Sequence, residues 1–363
     1  MSISVLIAGG GTGGHLYPGI AVARELLARY PDARVTFVGT AAGIEARVVP
    51  REGFALDVIR SAGLKGKSLP ALMRGLRLLP LGGVDAWRVI SRRRPSVVIG
   101  VGGYSSGPVV ALAALRGIPT LLMEQNAAPG LTNRSLARIV RAAAVTYDES
   151  VRFFGNKAFV AGNPVRPEFF QHEEAYDEHG SPPGAARVLV FGGSQGAHAI
   201  NVAMVEAAPR LASAAPRLAL THQTGERDLE MVREGYRRAG LDRARVEPFL
   251  FAMDREMRAA DVVVCRAGAT TLAELTAAGR PSILIPLPTA TDDHQRKNAE
   301  ALVKRGAAAM VEQREVTGER LASELLALVT DADRRARMSE TARAMARPDA
   351  ARLIVDRVVE LSR

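Results

Sequence analysis

The amino-acid sequence predicts an α/β protein built from two doubly wound, Rossmann-like domains. The chain has 363 residues, which suits two domains of ordinary size better than a single core. Apolar runs followed by glycine and then by a helical pattern recur along both halves, and each half opens with a strand, a glycine-rich loop and a helix. Short buried strands that alternate with helices are typical of parallel sheets covered on both faces.

The predicted strands are short apolar runs bounded by glycine or polar residues. In the first half they are residues 4–8, 34–39, 96–101, 119–124 and 142–147. In the second half they are residues 187–191, 218–222, 261–265, 282–285 and 308–311. Helical patterns lie between them.

The boundary between the domains is predicted near residues 162–166. The segment that follows, residues 171–186, is polar and contains glycine and proline, as linkers do. We therefore predict an N-terminal domain over residues 1–163 and a C-terminal domain over residues 164–345. The apolar side of a last helix, within residues 346–363, could close either domain, and we expect it to pack back on the N-terminal domain.

Composition excludes several classes of protein. Hydrophobic residues make up 47% and charged residues 24% of the chain, which excludes disordered, collagenous and coiled-coil proteins. The single cysteine, Cys265, excludes a disulfide framework and a cysteine-based zinc site. Glycines interrupt the most apolar stretch, and no cation precedes Arg24, so we expect neither a membrane span nor a signal peptide. A cytoplasmic protein is expected.

The positive charge is concentrated in one stretch. The formal net charge is +10, and residues 60–94 are rich in Lys and Arg with Asp85 as their only acid. Apolar residues lie among these cations at helical spacing: Leu69, Leu72, Met73, Leu76 and Leu79, with Trp87 further on. Nucleic acid is the usual partner of a basic patch, but this pattern favours a helix on an anionic membrane surface, with Ser68 as its N-cap. An ordinary amphipathic helix packed on the protein's own core has the same composition.

The first glycine-rich loop, residues 9–15, follows a strand and opens a helix. Its backbone N–H groups and the positive helix end suit an anion such as a diphosphate. A dinucleotide site needs an acid at the end of the second strand, where this sequence has Gly39-Thr40, and an ATP-hydrolysing loop needs Lys where it has His15. A tight turn without a ligand is the alternative. His15 is a candidate proton acceptor beside the reacting groups.

Two further polar clusters follow strands of the same half. They are the glycine-rich residues 102–108 and the sequence Glu124-Gln125-Asn126. Loops at the carboxyl ends of strands in one sheet usually share one crevice, so we expect both clusters to face the same ligand as the first loop. Flexible turns with hydroxyls facing water are the alternative for residues 102–108.

The second half contains further segments with ligand-binding composition. Residues 192–197 form another phosphate-type loop, in which the Ser194 hydroxyl is an additional donor. After a later strand, Glu274 is either a ribose-binding carboxylate or, with Thr271, part of a helix capping box. Residues 292–298 are too polar for a core and indicate contacts with a sugar.

No metal site is predicted. The histidines are scattered, without the spacing of a zinc site. Asp331-Ala332-Asp333 resembles the D-x-D by which some sugar transferases hold Mn²⁺. It stands at an expected helix start, however, where acids are favoured by the helix dipole.

A set of segments along the chain closely resembles the MurG family of bacterial glycosyltransferases. In order, they are GGGTGGH at 9–15, GGYSSGP at 102–108, EQNAAPGLTNR at 124–134, GNPVR at 162–166, FGGSQGA at 191–197, HQTG at 222–225, CRAGATTLAE at 265–274 and DDHQRKNA at 292–299. The match covers nearly the whole chain. It is far more specific than any one glycine loop.

The resemblance implies a function. This family transfers N-acetylglucosamine from UDP-N-acetylglucosamine to lipid I, undecaprenyl-diphospho-N-acetylmuramoyl-pentapeptide, and so makes lipid II for peptidoglycan synthesis. The implied fold is GT-B, in which two Rossmann-like domains face each other across a cleft, and no cofactor or metal is implied. The C-terminal domain is expected to hold the donor, and the N-terminal domain to hold the acceptor and dock on the membrane. We therefore expect a peripheral protein on the cytoplasmic face of the bacterial cell membrane, with no nucleic-acid partner.

The resemblance also implies site residues. The donor-binding positions are Thr12, Gly13, Gly14, Asn126, Arg166, Ser194, Leu250, Ala269, Thr270, Thr271, Leu272, Ala273, Glu274 and Gln295. Around Leu250 the sequence departs from the acidic family pattern F-I-D-D-M, although a backbone contact with uracil would survive that change. The membrane-docking positions are Leu69, Leu72, Met73, Leu76, Leu79 and Trp87.

The chemistry of transfer requires donors and a base. Charge develops on the departing UDP, and the Ser194 loop, a helix N-terminus and Arg166 supply donors for it. The acceptor C4 hydroxyl attacks the anomeric carbon from the opposite face, which gives an inverted product, and a base takes its proton. His15 is the first candidate for this base and Glu124 the second. The acceptor-binding positions are Tyr104, Ser105 and Ser106.

Two other classes of function remain open. A nucleotide-dependent oxidoreductase has similar glycine loops, but the missing acid after the second strand argues against it. A non-catalytic subunit of a membrane glycosyltransferase would bind the sugar nucleotide without transferring the sugar. For a member of the MurG family, other cell-wall synthesis proteins are further expected partners.

Overall fold

A computed structural model describes residues 3–61, 69–171, 184–193, 195–214 and 218–363. For residues 69–79 and for Thr291 it describes the backbone but not the side chain. Ser68 and Ser194 therefore lie outside the described residues. The chain divides into two compact units, Met1–Val165 with Arg347–Arg363, and Arg166–Ala346.

The first unit alternates strands with helices. Its strands are β1 (Ser4–Gly9), β2 (Arg34–Gly39), β3 (Ala55–Val58), β4 (Val97–Gly102), β5 (Thr120–Glu124), β6 (Ala142–Val145) and β7 (Ala158–Val160). Its helices, apart from the C-terminal one, are α1 (Gly13–Arg29), α2 (Glu45–Arg51), α3 (Leu69–Arg93), α4 (Ser106–Leu115), α5 (Leu131–Leu136) and α6 (Asp148–Val151).

The strands of the first unit form a parallel sheet in the order β3-β2-β1-β4-β5-β6-β7. Val5 of β1 lies opposite Val97 of β4. Val5 and Ile7 enter the core on one face of the sheet, whereas Leu6 and Ala8 enter the core on the other face. A central strand buried on both faces must be apolar throughout, which is why β1 is a continuous apolar run.

The second unit repeats this plan. Its strands are β8 (Ala186–Phe191), β9 (Leu218–Gln223), β10 (Arg245–Glu247), β11 (Val262–Cys265), β12 (Ser282–Leu284) and β13 (Ala308–Met310). Its helices are α7 (His198–Ala212), α8 (Leu229–Arg238), α9 (Met253–Ala259), α10 (Ala269–Ala278), α11 (His294–Arg305), α12 (Gly318–Thr330) and α13 (Ala332–Met345). The strands pair in parallel in the order β10-β9-β8-β11-β12-β13. The predicted α/β class with two doubly wound sheets is confirmed.

The C-terminal helix, α14 (Ala350–Leu361), belongs to the first unit. It packs against α1, and its apolar side chains Ile354, Val355, Val358 and Val359 join the core formed by β1 and α1. In the second unit, Asp331 caps α13, because its Oδ1 accepts the Arg334 N–H at 2.8 Å. This capping contact accounts for Asp331 in the D-x-D sequence without a metal.

No helix in the described part of the chain is both long enough and apolar enough to cross a bilayer.

Candidate functional site

The glycine loops of the first unit lie where the strand order reverses. β1 and β4 are neighbours in the sheet, and the loops that follow them flank the crevice typical of such a switch point. The Gly10 N–H lies 3.4 Å from the carbonyl oxygen of Gly102. A Cβ at Gly103, where φ is +80°, would overlap the Gly10 carbonyl, so the approach of the two loops requires glycine there.

Glu45 occupies part of the first loop. It is fully buried at the start of α2, and its carboxylate accepts hydrogen bonds from the Gly11 N–H at 2.9 Å and the Thr40 N–H at 2.8 Å. The expectation of a loop open to a diphosphate therefore needs correction at Gly11, whose N–H already has an anionic partner. Thr12 is the N-cap residue of α1, and Gly13 opens the helix.

His15 lies in the first turn of α1 with a defined partner. Its Nδ1 is 3.2 Å from Oε1 of Gln125, and the Gln125 amide nitrogen donates to the Val101 carbonyl at 3.1 Å. Because a carbonyl only accepts, Val101 sets the orientation of the Gln125 amide, and Oε1 must then accept the proton on Nδ1. A neutral His15 in this tautomer carries its lone pair on Nε2, as a base requires.

Glu124 ends β5 and is only 2% exposed. Its Oε1 accepts the backbone N–H of Asn126 at 2.9 Å and the side-chain amide of Asn126 at 3.1 Å. Its Oε2 accepts the Asn133 amide at 2.8 Å and the Gly130 N–H at 3.2 Å. Burial raises the pKa of Glu124, whereas these donors oppose the rise. Both oxygens are engaged in holding the loop after β5, which argues against Glu124 as the catalytic base.

The second glycine loop presents one accessible side chain and buries two. The hydroxyl oxygens of Ser105 and Ser106 are inaccessible and have no hydrogen-bond partner among the described residues. Their burial argues against the expected direct contact with an acceptor, because a buried hydroxyl reaches a substrate only if the loop moves. Tyr104 is partly exposed, and its hydroxyl lies 3.4 Å from Thr40 Oγ1. Of the three predicted acceptor positions, Tyr104 is the one whose side chain is accessible.

In the second unit, Gln223 joins two segments that the sequence predicts to bind the donor. It ends β9 and is buried. Its amide nitrogen donates to the Gly193 carbonyl at 2.8 Å, and its Oε1 accepts the Leu250 N–H at 2.8 Å. Because the Leu250 N–H is already bonded, a backbone contact from this residue to a nucleobase would use its carbonyl oxygen. The neighbouring Ser194 lies outside the described part of the chain.

The segment 269–274 forms the first part of α10, directly after the switch point between β8 and β11. The N-cap residue of this helix is Gly268, so Thr271 and Glu274 lie inside the helix and the capping-box interpretation is wrong. Burial raises the pKa of Glu274 to about 7, and the nearby positive charge of Arg166 opposes the rise. The fold thus brings together Arg166 and Glu274, which are far apart in the chain.

Gln295 ties two more loops at the same edge of the second sheet. Its Oε1 accepts the Leu287 N–H at 3.0 Å and the Ala267 N–H at 3.3 Å. Just before α11, Asp292 and Asp293 both adopt the left-handed region, with φ of 55° and 56°. Consecutive non-glycine residues in this region are strained, which is common at ligand sites.

The basic stretch contains a helix with an exposed apolar side. On α3, the side chains of Leu81, Val84 and Trp87 are exposed, and 52% of the Trp87 surface is accessible. The Arg116 guanidinium lies 4.4 Å from the centre of the Trp87 ring, within range of a cation–π contact. The other docking positions are helical in backbone, but their side chains lie outside the described residues: Leu69, Leu72, Met73, Leu76 and Leu79.

Glu45 and Gln223 were not among the predicted site residues, and Gln125 was predicted only as part of a polar cluster facing the ligand, not as the partner of His15. Gln125 and Gln223 follow or end strands within the EQN and HQTG segments, and that position was the available signal. Glu45 had no such signal, because an acid in the first turn of a helix is commonplace.

Family models match most of the chain. The glycosyltransferase family 28 N-terminal domain matches residues 5–145, and the family 28 C-terminal domain matches residues 187–354. The chain belongs to glycosyltransferase family 28.

Named relatives match this chain over nearly its whole length. The UDP-N-acetylglucosamine–N-acetylmuramyl-(pentapeptide) pyrophosphoryl-undecaprenol N-acetylglucosamine transferase of Anaeromyxobacter dehalogenans is 49% identical over 360 residues, which cover 99% of this chain and 93% of that protein. The Myxococcus xanthus protein of the same name is 48% identical over 360 residues, with the same coverage. The crystal structure of Acinetobacter baumannii MurG matches with a TM-score of 0.80 and 29% identity over 99% of both chains. The resemblance to the MurG family is confirmed.

Proposed function

We propose that this family 28 protein transfers N-acetylglucosamine from UDP-N-acetylglucosamine to the C4 hydroxyl of N-acetylmuramic acid in lipid I, and so makes lipid II for peptidoglycan synthesis. The observation that carries the proposal is the similarity of nearly the whole chain to transferases whose names state this donor and acceptor. The second unit is assigned to the donor, and the first unit to the acceptor.

The residues that contact the donor lie at the edge of the second sheet where its strands end. The ionised carboxylate of Glu274 accepts the two ribose hydroxyls, and the Leu250 carbonyl accepts from the uracil. The side chain of Arg166 and the N-terminal N–H groups of α10 stabilise the diphosphate, because both present positive charge to it. Gln295, whose Oε1 is bonded to two backbone N–H groups, has its amide hydrogens to donate to the sugar.

The reaction is a single displacement. The acceptor C4 oxygen forms a bond to the anomeric carbon while the bond from that carbon to the diphosphate oxygen breaks, so the configuration inverts. The C4 hydroxyl proton passes to Nε2 of His15, and the electron pair of the broken bond leaves with UDP. The contact between His15 and Gln125 holds the imidazole in the required tautomer.

The transfer reaction itself is the first test. Purified protein is expected to convert UDP-N-acetylglucosamine and a water-soluble, short-chain lipid I analogue into a disaccharide product, with one UDP released for each sugar transferred. A reaction without the analogue measures hydrolysis of the donor and serves as the control. Binding of the sugar nucleotide without transfer would contradict the proposal and favour the non-catalytic subunit.

We further propose that α3 docks the protein on an anionic membrane at the cytoplasmic face of the cell. The exposed side chains of Leu81, Val84 and Trp87 support this, because they lie on α3, whose sequence also contains five of the arginines of the basic stretch: Arg74, Arg77, Arg88, Arg92 and Arg93. A substrate with an undecaprenyl chain stays in the bilayer, so the acceptor domain must approach the membrane surface.

Salt is expected to separate the electrostatic and the apolar contributions to the binding of vesicles. Each cation near an anionic surface is worth about 1 kcal/mol and is screened by salt, whereas burial of apolar side chains is not screened. Binding to anionic vesicles should weaken steeply as salt rises and keep a salt-resistant remainder. The variant L81S/V84S/W87S should lose that remainder and keep transfer to the soluble analogue, as should the more N-terminal variant L72S/L76S/L79S.

A control for this experiment is I139S, which removes another exposed apolar side chain of the first unit and should bind vesicles like the parent. Parent-like binding by both triple variants at high salt would place the membrane contact on another surface.

A further inference from the structure

The first glycine loop already holds an anion, and that anion is a side chain of the protein. The Glu45 carboxylate is fully buried and accepts from the Gly11 N–H at 2.9 Å, the Thr40 N–H at 2.8 Å and the Thr40 hydroxyl at 3.0 Å. Backbone N–H groups after a strand, beside the N-terminus of a long helix, are the donors that glycine loops normally offer to phosphate. Glu45 uses one of them.

Three glycines leave the space that this carboxylate fills. A Cβ at Gly10, Gly39 or Gly43 would overlap the Glu45 side chain. The backbone does not demand glycine at Gly39 or Gly43, because neither has a positive φ. The space required by the carboxylate is therefore the reason for glycine at these two positions.

The carboxylate also links the first loop to the second. Thr40 Oγ1 donates to Glu45 and lies 3.4 Å from the Tyr104 hydroxyl, so Glu45, Thr40 and Tyr104 form a chain of polar contacts. The Gly10 N–H adds a backbone contact to Gly102 at 3.4 Å. Displacing the carboxylate would remove the contacts that hold Gly11 and Thr40, and with Thr40 the side-chain contact to Tyr104.

The second unit also has a carboxylate just after the corresponding strand, but its partners differ. β9 occupies the place in its sheet that β2 has in the first, and after it Asp228 accepts from the Asn201 amide at 2.8 Å and lies 3.0 Å from Nδ1 of His198. Both of these partners are side chains of α7. The contacts of Glu45 instead include a backbone N–H of the glycine loop itself.

We propose that Glu45 is a positioning residue that fills the anion position of the first glycine loop and shapes the acceptor site with Thr40 and Tyr104. The expected effect of Glu45 variants on acceptor kinetics rests on the transfer activity proposed above. The expected binding of a small anion in place of the Glu45 carboxylate does not depend on that activity.

Sodium formate is the probe for the vacated position. Glu45→Ala leaves a space lined by the Gly11 and Thr40 donors, which formate can occupy. Glu45→Gln keeps the volume, but its amide has a single oxygen, so its NH2 group must face either the Gly11 N–H or the Thr40 N–H. Formate should raise the melting temperature of Glu45→Ala more than that of the parent or of Glu45→Gln, with sodium chloride at equal ionic strength as the control. No formate-specific shift in Glu45→Ala overturns the proposal, whether or not the protein transfers sugar.

The kinetic test uses the same variants. Glu45→Ala should lower kcat/KM for the lipid I analogue by about tenfold or more with an unchanged KM for UDP-N-acetylglucosamine, and formate should recover part of the loss. Glu25→Ala, which removes a carboxylate elsewhere on the first unit, should behave like the parent. If Glu45→Ala does not fold, the kinetics of Glu45→Gln test the proposal on their own. Acceptor kinetics like those of the parent in Glu45→Gln would then overturn it.

Discussion

His15→Ala is expected to lower kcat for sugar transfer by about 10²- to 10⁴-fold while the affinity for UDP stays nearly unchanged. The physical reason is that the Gln125 amide, oriented by the Val101 carbonyl, holds the imidazole proton on Nδ1 and the lone pair on Nε2. Single-turnover rates, together with UDP binding measured by calorimetry, separate the loss of the base from a loss of binding.

Gln125→Leu is an informative companion to this variant. It removes the acceptor that selects the His15 tautomer but leaves the imidazole in place, so it should lower kcat less than His15→Ala does. Near-parental turnover in His15→Ala would move proton removal to water or to Glu124. The second of these requires Glu124 to give up one of the N–H donors now bonded to it.

Glu274→Ala is expected to raise the KM for UDP-N-acetylglucosamine by about 10- to 100-fold, because it removes an ionised acceptor of two ribose hydroxyls. A lost helix cap is not a competing explanation, since the cap of α10 is Gly268. Donor KM and melting temperature should be measured together. An unchanged donor KM with a lower melting temperature would show that the role of Glu274 is structural.

The pH dependence of donor binding gives a second measurement on Glu274. Burial raises its pKa from an ordinary 4.5 to about 7, so the carboxyl is largely protonated below pH 7. The ionised form accepts both hydroxyls, and the donor KM of the parent should therefore fall as pH rises through 7, whereas Glu274→Gln should lack this dependence. Stability of the unliganded protein has the opposite trend: because the fold favours the protonated form, the free energy of unfolding falls between pH 4.5 and 7.

A comparison of the predicted and observed strands shows which parts of the fold are determined by local composition. The central strands were predicted within one or two residues, because a strand buried on both faces has to be apolar. The missed strands, β3, β7 and β10, are short and lie at sheet edges, where only one side is paired and polar residues are tolerated. The C-terminal helix was visible as an apolar pattern, but its packing partner, α1, was not.

By itself, the sequence determined the α/β class, the glycine loops at strand ends, and the motifs that identify the family, because these depend on local composition and order. Only the tertiary structure decided which groups occupy those loops. Glu45 reaches Gly11 across 34 positions, and Gln125 reaches His15 across 110, so neither contact has a local pattern. It also showed that the Ser105 and Ser106 hydroxyls are buried, because burial depends on the packing of the whole unit and not on the identity of a hydroxyl residue.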